Sequence, residues 1–180
     1  MKRFSDSVNV GLMVALVWFA VWVWPDLPER IPTHFGIDGQ PDAWSERSFW
    51  SWFLLPIIAV TLALSMYWVR WVLPRRPGWV SFPSRRRLTD FPEAARGPVL
   101  EMVSGFLALV QTHLLVIFTL IQLATYRTAL GGDSQGVMIL VLLLAMLGSP
   151  FFLVLFFLRY QRAMAETERL AAGEAWVMRP

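Results

Sequence analysis

Four stretches of this chain, residues 8–24, 49–69, 103–125 and 137–158, run for 17 to 23 residues without one Asp, Glu, Lys or Arg. At about 1.5 Å of rise per residue, each is long enough to cross a hydrocarbon layer of roughly 30 Å as a helix with modest tilt. Lipid offers no partner to a bare peptide group, so such runs must be helical. With 56% hydrophobic and only 16% charged residues, the 180-residue chain falls in the membrane class. The expected fold is therefore an all-α integral membrane protein: four transmembrane helices and a short ordered extracytoplasmic loop between helices 1 and 2. Lys2 and Arg3 before the first run look like the start of a secretory signal. The run ends in Trp22-Val23-Trp24-Pro25 with no small-residue cleavage site, which reads as an uncleaved first helix.

Orientation follows from Lys and Arg in the short flanks. Lys2 and Arg3, the seven arginines of the second connection (Arg70, Arg75, Arg76, Arg85, Arg86, Arg87, Arg96) and Arg159, Arg162, Arg169 and Arg179 total thirteen. Against them stand three: Arg30, Arg47 and Arg127. Both termini and the Arg-rich connection are thus expected in the cytoplasm, with residues 25–48 outside. Tryptophans agree, since indoles favour the boundary between tails and headgroups: Trp22, Trp24, Trp44, Trp50 and Trp52 gather at one end, Trp68 and Trp71 at the other. The domain reading is a helical pair over 1–72 carrying the outer loop 25–48, an Arg/Pro-rich cytoplasmic loop over 73–98, and a second helical pair over 99–180 with a cytoplasmic extension.

The basic excess flanks apolar spans, so it points to anionic headgroups or a cytosolic protein and away from nucleic acid. The absence of cysteine excludes disulfides, thiolate metal sites and thiol nucleophiles. Prolines and glycines between residues 70 and 98 block a long helix there, and the interleaved Trp79, Phe82 and Phe91 suggest a segment lying on the bilayer surface. Residues 159–172 lack breakers and place Glu166 four residues after Arg162, so helix 4 is expected to continue into the cytoplasm and stop at Gly173. Pro56 and Pro150 remove the helical bonds to the carbonyls of Trp52 and Met146, which predicts kinks in helices 2 and 4.

Residues 25–48 are the polar exception, with five acids against two bases. Ile31 to Phe35 followed by Gly36-Ile37-Asp38-Gly39 predicts a small hairpin. A two-residue turn at Asp38-Gly39 sets Phe35 opposite Asp42 and His34 opposite Ala43, whereas a three-residue loop centred on Asp38 brings His34 to Asp42. His34, Asp38 and Asp42, with Glu29, have metal-ligand chemistry. The alternative is that the carboxylates and the imidazole satisfy the turn backbone, and no metal or other cofactor is expected. In the third span Gln111, Gln122 and Thr125 share a face and His113 points elsewhere. They can form interhelical hydrogen bonds or line a path; the first reading is preferred.

The stretch Leu27, Pro28, Ile31, Pro32, His34, Gly39, Asp42 and Trp44 resembles the motif of the domain of unknown function 1648 family: Leu-Pro, Ile-Pro-x-His, a following Gly and an acidic-aromatic close. That family includes the immunity membrane protein of the sporulation-delay toxin system, which protects a cell from a secreted toxin and recruits a repressor to the membrane. The resemblance implies a membrane protein of a bacterial kind. Together with the polar outer loop it leads to the expectation of a multi-pass bacterial plasma-membrane protein that binds a peptide or protein partner in an immunity-like or sensor-like role, with His34, Asp38, Asp42 and Trp44 as the partner-binding residues. A subunit of a transporter or larger complex and a membrane enzyme using the His/Asp cluster are the competing expectations, and no catalytic residue is assigned.

Overall fold

The computed structural model describes residues 2–80 and 87–177. Phe82, Pro83, Arg85 and Arg86 of the basic connection, and Arg179, lie outside the described residues. Helix α1 spans Lys2–Trp22, strand β1 Arg30–Phe35, β2 Pro41–Glu46, α2 Phe49–Val72, α3 Gly97–Ala129 and α4 Gln135–Val177. All four helices are long and apolar enough to cross a membrane. Large hydrophobic side chains face outward along α1, α2 and α4, among them Trp18 on α1, Leu64 on α2 and Leu153 on α4. Only 6% of the most apolar window of α4 is buried within the protein, so lipid replaces core packing around that helix.

Helix α3 is the centre of the bundle, packing against α1, α2 and α4. Small residues bring the backbones together: Leu16 meets Ala59, Ala63 and Leu115 in a dry layer midway along the spans. On its other side His113 packs against α4, with its ring 5.0 Å from that of Phe152 and its edge against Gly148. His113 thus faces away from Gln111, as the helical angle predicts.

Between α2 and α3 the described residues form short 3-10 turns and no long helix, in keeping with their prolines. Phe91 corrects the surface expectation: it turns inward and joins Leu88, Val99 and Ala163 in a buried cluster. Burying Phe91 against α3 and α4 removes it from contact with headgroups, whereas Trp79 stays exposed beside Trp68, 6.0 Å away. The same cluster pins the end of α4. That helix has 43 residues, about 64 Å at 1.5 Å each, so it projects well past the bilayer. Gly173 does not stop it: a glycine inside a helix costs about 1 kcal/mol relative to alanine, and the neighbouring alanines and Glu174 carry the helix on. The expected Arg162 partner for Glu166 is also corrected, because Glu166 pairs with Arg169 at 2.6 Å.

Trp52 departs from its expected interfacial place. It is 1% exposed, packed with Ala20, Val23, Leu27 and Ile31, and its indole N–H donates to the Ala20 carbonyl at 2.8 Å. The carbonyl of Trp52 is the one that Pro56 frees, and Gln122 Nε2 of α3 donates to it at 3.4 Å. A helix break is thereby satisfied by a side chain from the next helix.

Candidate functional site

The hairpin is built by local rules. Gly36 N–H donates to the Gln40 carbonyl at 2.8 Å and Gly39 N–H to the Gly36 carbonyl at 2.9 Å, closing a three-residue loop whose last member, Gly39, has φ +78°. Asp38 supports it by accepting from Gln40 N–H at 3.1 Å. Pairing runs Arg30 with Glu46, Ile31 with Ser45 and Pro32 with Trp44, then slips at His34, which lies opposite Ala43 across a bulge. At the base, Arg47 donates to the Leu27 carbonyl at 2.5 Å and lies over the Trp24 ring. Ser48 and Ser51 then start α2 with reciprocal capping bonds.

The hairpin is seated on the helix ends. Ile31 is fully buried in the cluster around Trp52, Phe35 packs against Ala124, Met138 and Val141, and Gln135 Nε2 of α4 donates to the Asp38 carbonyl at 3.0 Å. A Cβ on Gly39 would stand 2.9 Å from the Gln135 carbonyl oxygen, so the tip approaches α4 as closely as a glycine permits. In hydrogen exchange, the amides of Ile31 and Ser45 are expected to exchange far more slowly than that of Ile37, which is 90% exposed at the tip. Equal rates would mean that the hairpin is a loose tether.

The bulge gives both loop geometries a share of the truth. The loop is centred on Asp38 and the Cα pairing is His34 with Ala43, yet His34 Nδ1 and Asp42 Oδ1 meet at 2.5 Å. His34 therefore bonds a side chain and not the turn backbone; of the two carboxylates, Asp38 alone serves the turn. The pair is open to water, with side chains 68% and 55% exposed. A contact so exposed contributes about 0–1 kcal/mol to stability. It fixes the imidazole and the carboxylate relative to each other; Trp44, two residues on from Asp42, is 40% exposed. No group of three or more His, Asp or Glu able to hold a metal occurs among the described residues. Glu29 lies elsewhere, in a groove of roughly 760 Å³ with Arg30, Trp44, Ser45, Glu46 and Arg47.

Within the bundle, Gln111 and Gln122 are buried, at 1% and 2% exposure, while Thr125 is only half-buried. Gln122 serves the Trp52 carbonyl, so for it the hydrogen-bonding reading holds. Gln111 lies near the Tyr67 hydroxyl, but neither its amide nitrogen nor its oxygen makes a formed hydrogen bond. The apolar layer of Leu16, Ala59, Ala63 and Leu115 lies between the two glutamines. A polar constellation not anticipated from the sequence sits at the opposite end from the hairpin. Arg70, its side chain 5% exposed, pairs with Asp6 at 2.6 Å, donates to Ser104 Oγ at 3.2 Å and lies over the Tyr67 ring. Tyr67 in turn donates to the Asp6 carbonyl at 3.0 Å. Asn9 is fully buried, donating to the Ala108 carbonyl at 3.1 Å and accepting from Thr112 Oγ1 at 2.6 Å. The only available signal was an Asp and an Arg just outside two adjacent spans.

Four lipid-length helices with a seated two-stranded hairpin between the first and second define a multi-pass membrane protein. Residues 11–60, from within α1 through the hairpin into α2, match the family described as Domain of unknown function (DUF1648), so this stretch is a DUF1648 domain, as the Ile-Pro-x-His motif implies. No curated protein and no solved structure matches the chain.

Proposed function

We propose that this is a bacterial plasma-membrane protein that recognises a secreted peptide or an envelope protein through the outer hairpin, in an immunity-like or sensor-like role. The observation that carries the reading is the His34–Asp42 pair, with Trp44 two residues along the same strand as Asp42: polar and aromatic groups on a seated hairpin, yet left open to solvent. Exposed pairs do little for stability, so a held but exposed constellation is suited to a ligand. The Arg-rich connection meets anionic lipid or a cytosolic protein, with Arg76 and Arg87 as outward charges. Arg75 and Arg96 are in part committed, to Trp71 and to the Phe91 carbonyl. A transporter path receives less support, because the Leu16 to Leu115 layer interrupts the polar face of α3.

Alanine at His34 or at Asp42 is expected to abolish partner capture or toxin protection while expression and insertion stay normal. Full activity in both variants, with loss in the Gln111→Leu/Gln122→Leu double variant, would instead locate the function among the helices. Orientation has a separate test, made clean by the absence of native cysteine. Ile37→Cys is expected to react with an impermeant maleimide from outside intact cells, and Glu93→Cys only after permeabilisation. The reverse pattern overturns the topology.

A further inference from the structure

The sheet has two strands, and β1 is the one packed on α2 and α3, which leaves β2 as its outer edge. The bond from Arg47 N–H to the Glu29 carbonyl, 2.7 Å, sets the parity of the ladder. Hydrogen-bonded pairs alternate with pairs that face each other without bonds, so residues 29 and 47, then 31 and 45, exchange them. Arg30 with Glu46 and Pro32 with Trp44 do not. Pro32, which has no N–H, fits such a place. On β2 it follows that the N–H and C=O of Trp44 and the N–H of Glu46 point away from β1. The Glu46 carbonyl is already taken by Ser51 Oγ at 3.0 Å.

Natural proteins usually blunt a free edge; here Pro41 and the register slip do so at the start of β2, while the stretch from Trp44 to Glu46 pairs regularly and carries only charge. Asp42 and Glu46 stand two residues to either side of Trp44 on β2, Asp42 at the register slip and Glu46 opposite Arg30. Glu29, Arg30 and Arg47 share the groove with Trp44 and Glu46, and over residues 25–48 five acids outweigh two bases. Asp42 Oδ1 is engaged by His34 Nδ1, and a carboxylate has further acceptor capacity on its second oxygen. A second copy of this chain is a poor occupant: antiparallel pairing of two β2 strands about Trp44 would set Asp42 opposite Glu46, and like charges directly opposite are unfavourable. From the edge and its charges, and resting on the hairpin as the recognition element, we propose that β2 takes an extended cationic peptide as a third strand. The sequence pattern it selects is basic-x-apolar-x-basic, because side chains two apart share a face. The apolar residue lies against Trp44 and the basic ones against Asp42 and Glu46.

The test uses full-length protein in phosphatidylcholine nanodiscs and a fluorescein-labelled peptide, Thr-Lys-Thr-Val-Thr-Lys-Thr, read by anisotropy. Binding is expected to weaken about tenfold when alternate peptide nitrogens are methylated on the edge that would face β2, since each lost main-chain bond removes roughly a factor of five to ten. Exchanging both lysines for glutamate should weaken it at least as much. Glu46→Gln and Asp42→Asn should each weaken the lysine peptide several-fold and leave a peptide with threonine in place of lysine unchanged. Indifference to backbone methylation overturns strand addition, as does disulfide dimerisation through Ala43→Cys that the peptide does not inhibit. If the peptide fails while His34→Ala still abolishes partner capture, strand addition is wrong and the hairpin remains the recognition element. If the peptide binds as described but neither alanine variant affects capture, the edge stands and its physiological role is overturned.

Discussion

Asp6→Asn is expected to be among the most destabilising single changes in this protein, costing about 3 kcal/mol, because it leaves the Arg70 guanidinium, 5% exposed, without its counter-charge. One Arg70 nitrogen, Nη1, is already buried without a hydrogen bond, so the site has little capacity left to absorb a lost partner. Arg70→Leu should cost less. It removes the buried charge itself, and Asp6, a third exposed, regains water. Unfolding in mixed detergent micelles measures both. Equal and small effects, below about 0.5 kcal/mol, would mean that the pair is solvated in the membrane and contributes nothing.

The second large effect is expected at the contact of α3 with α4. A Cβ on Gly148 would stand 2.6 Å from His113 Cε1 and closer still to Nε2, so Gly148→Val must separate the helices or force the ring off its rotamer. Overpacking of this kind costs about 1–3 kcal/mol. Because the clash is with one side chain, His113→Ala in the same chain should restore a large part of the loss. A coupling energy near zero in the double-mutant cycle would show that the valine acts elsewhere.

The sequence revealed the helices because lipid imposes one simple demand, a long charge-free run, and each of the four runs meets it. It also revealed the donor-less carbonyl of Trp52, since a proline in a helix always leaves one. What it could not supply was the donor, Gln122, because that pairing depends on how α3 rotates against α2. The same ignorance of neighbours explains Trp52 and Phe91. Both have the character of boundary residues, and both are buried, since an adjacent helix was available to cover them. Gly173 misleads for a different reason: a weak local preference is overridden by good helix formers on either side. In the hairpin the residue types were legible and the register was not. A bulge at His34 let a pairing with Ala43 coexist with a bond to Asp42, two outcomes that regular pairing makes exclusive. Asp6 and Arg70 escaped notice because each stands at the end of its own span, where charge is ordinary.

The seating of the hairpin has a consequence for how the protein is made. Ile31 rests on residues of α1 and α2, but Phe35 and the tip rest on α3 and on Gln135, the first residue of α4. Synthesis runs from the N-terminus, so in the proposed orientation the hairpin is exported with the first helical pair before its second support exists. For that interval Phe35 has nothing to bury against and the tip has no Gln135 to hold it. Completion of the second pair is therefore the event that fixes the hairpin face proposed for recognition. A ribosome-bound chain truncated before α3 should display an unseated hairpin, and a cell would gain a working protein only once its last helix has been inserted.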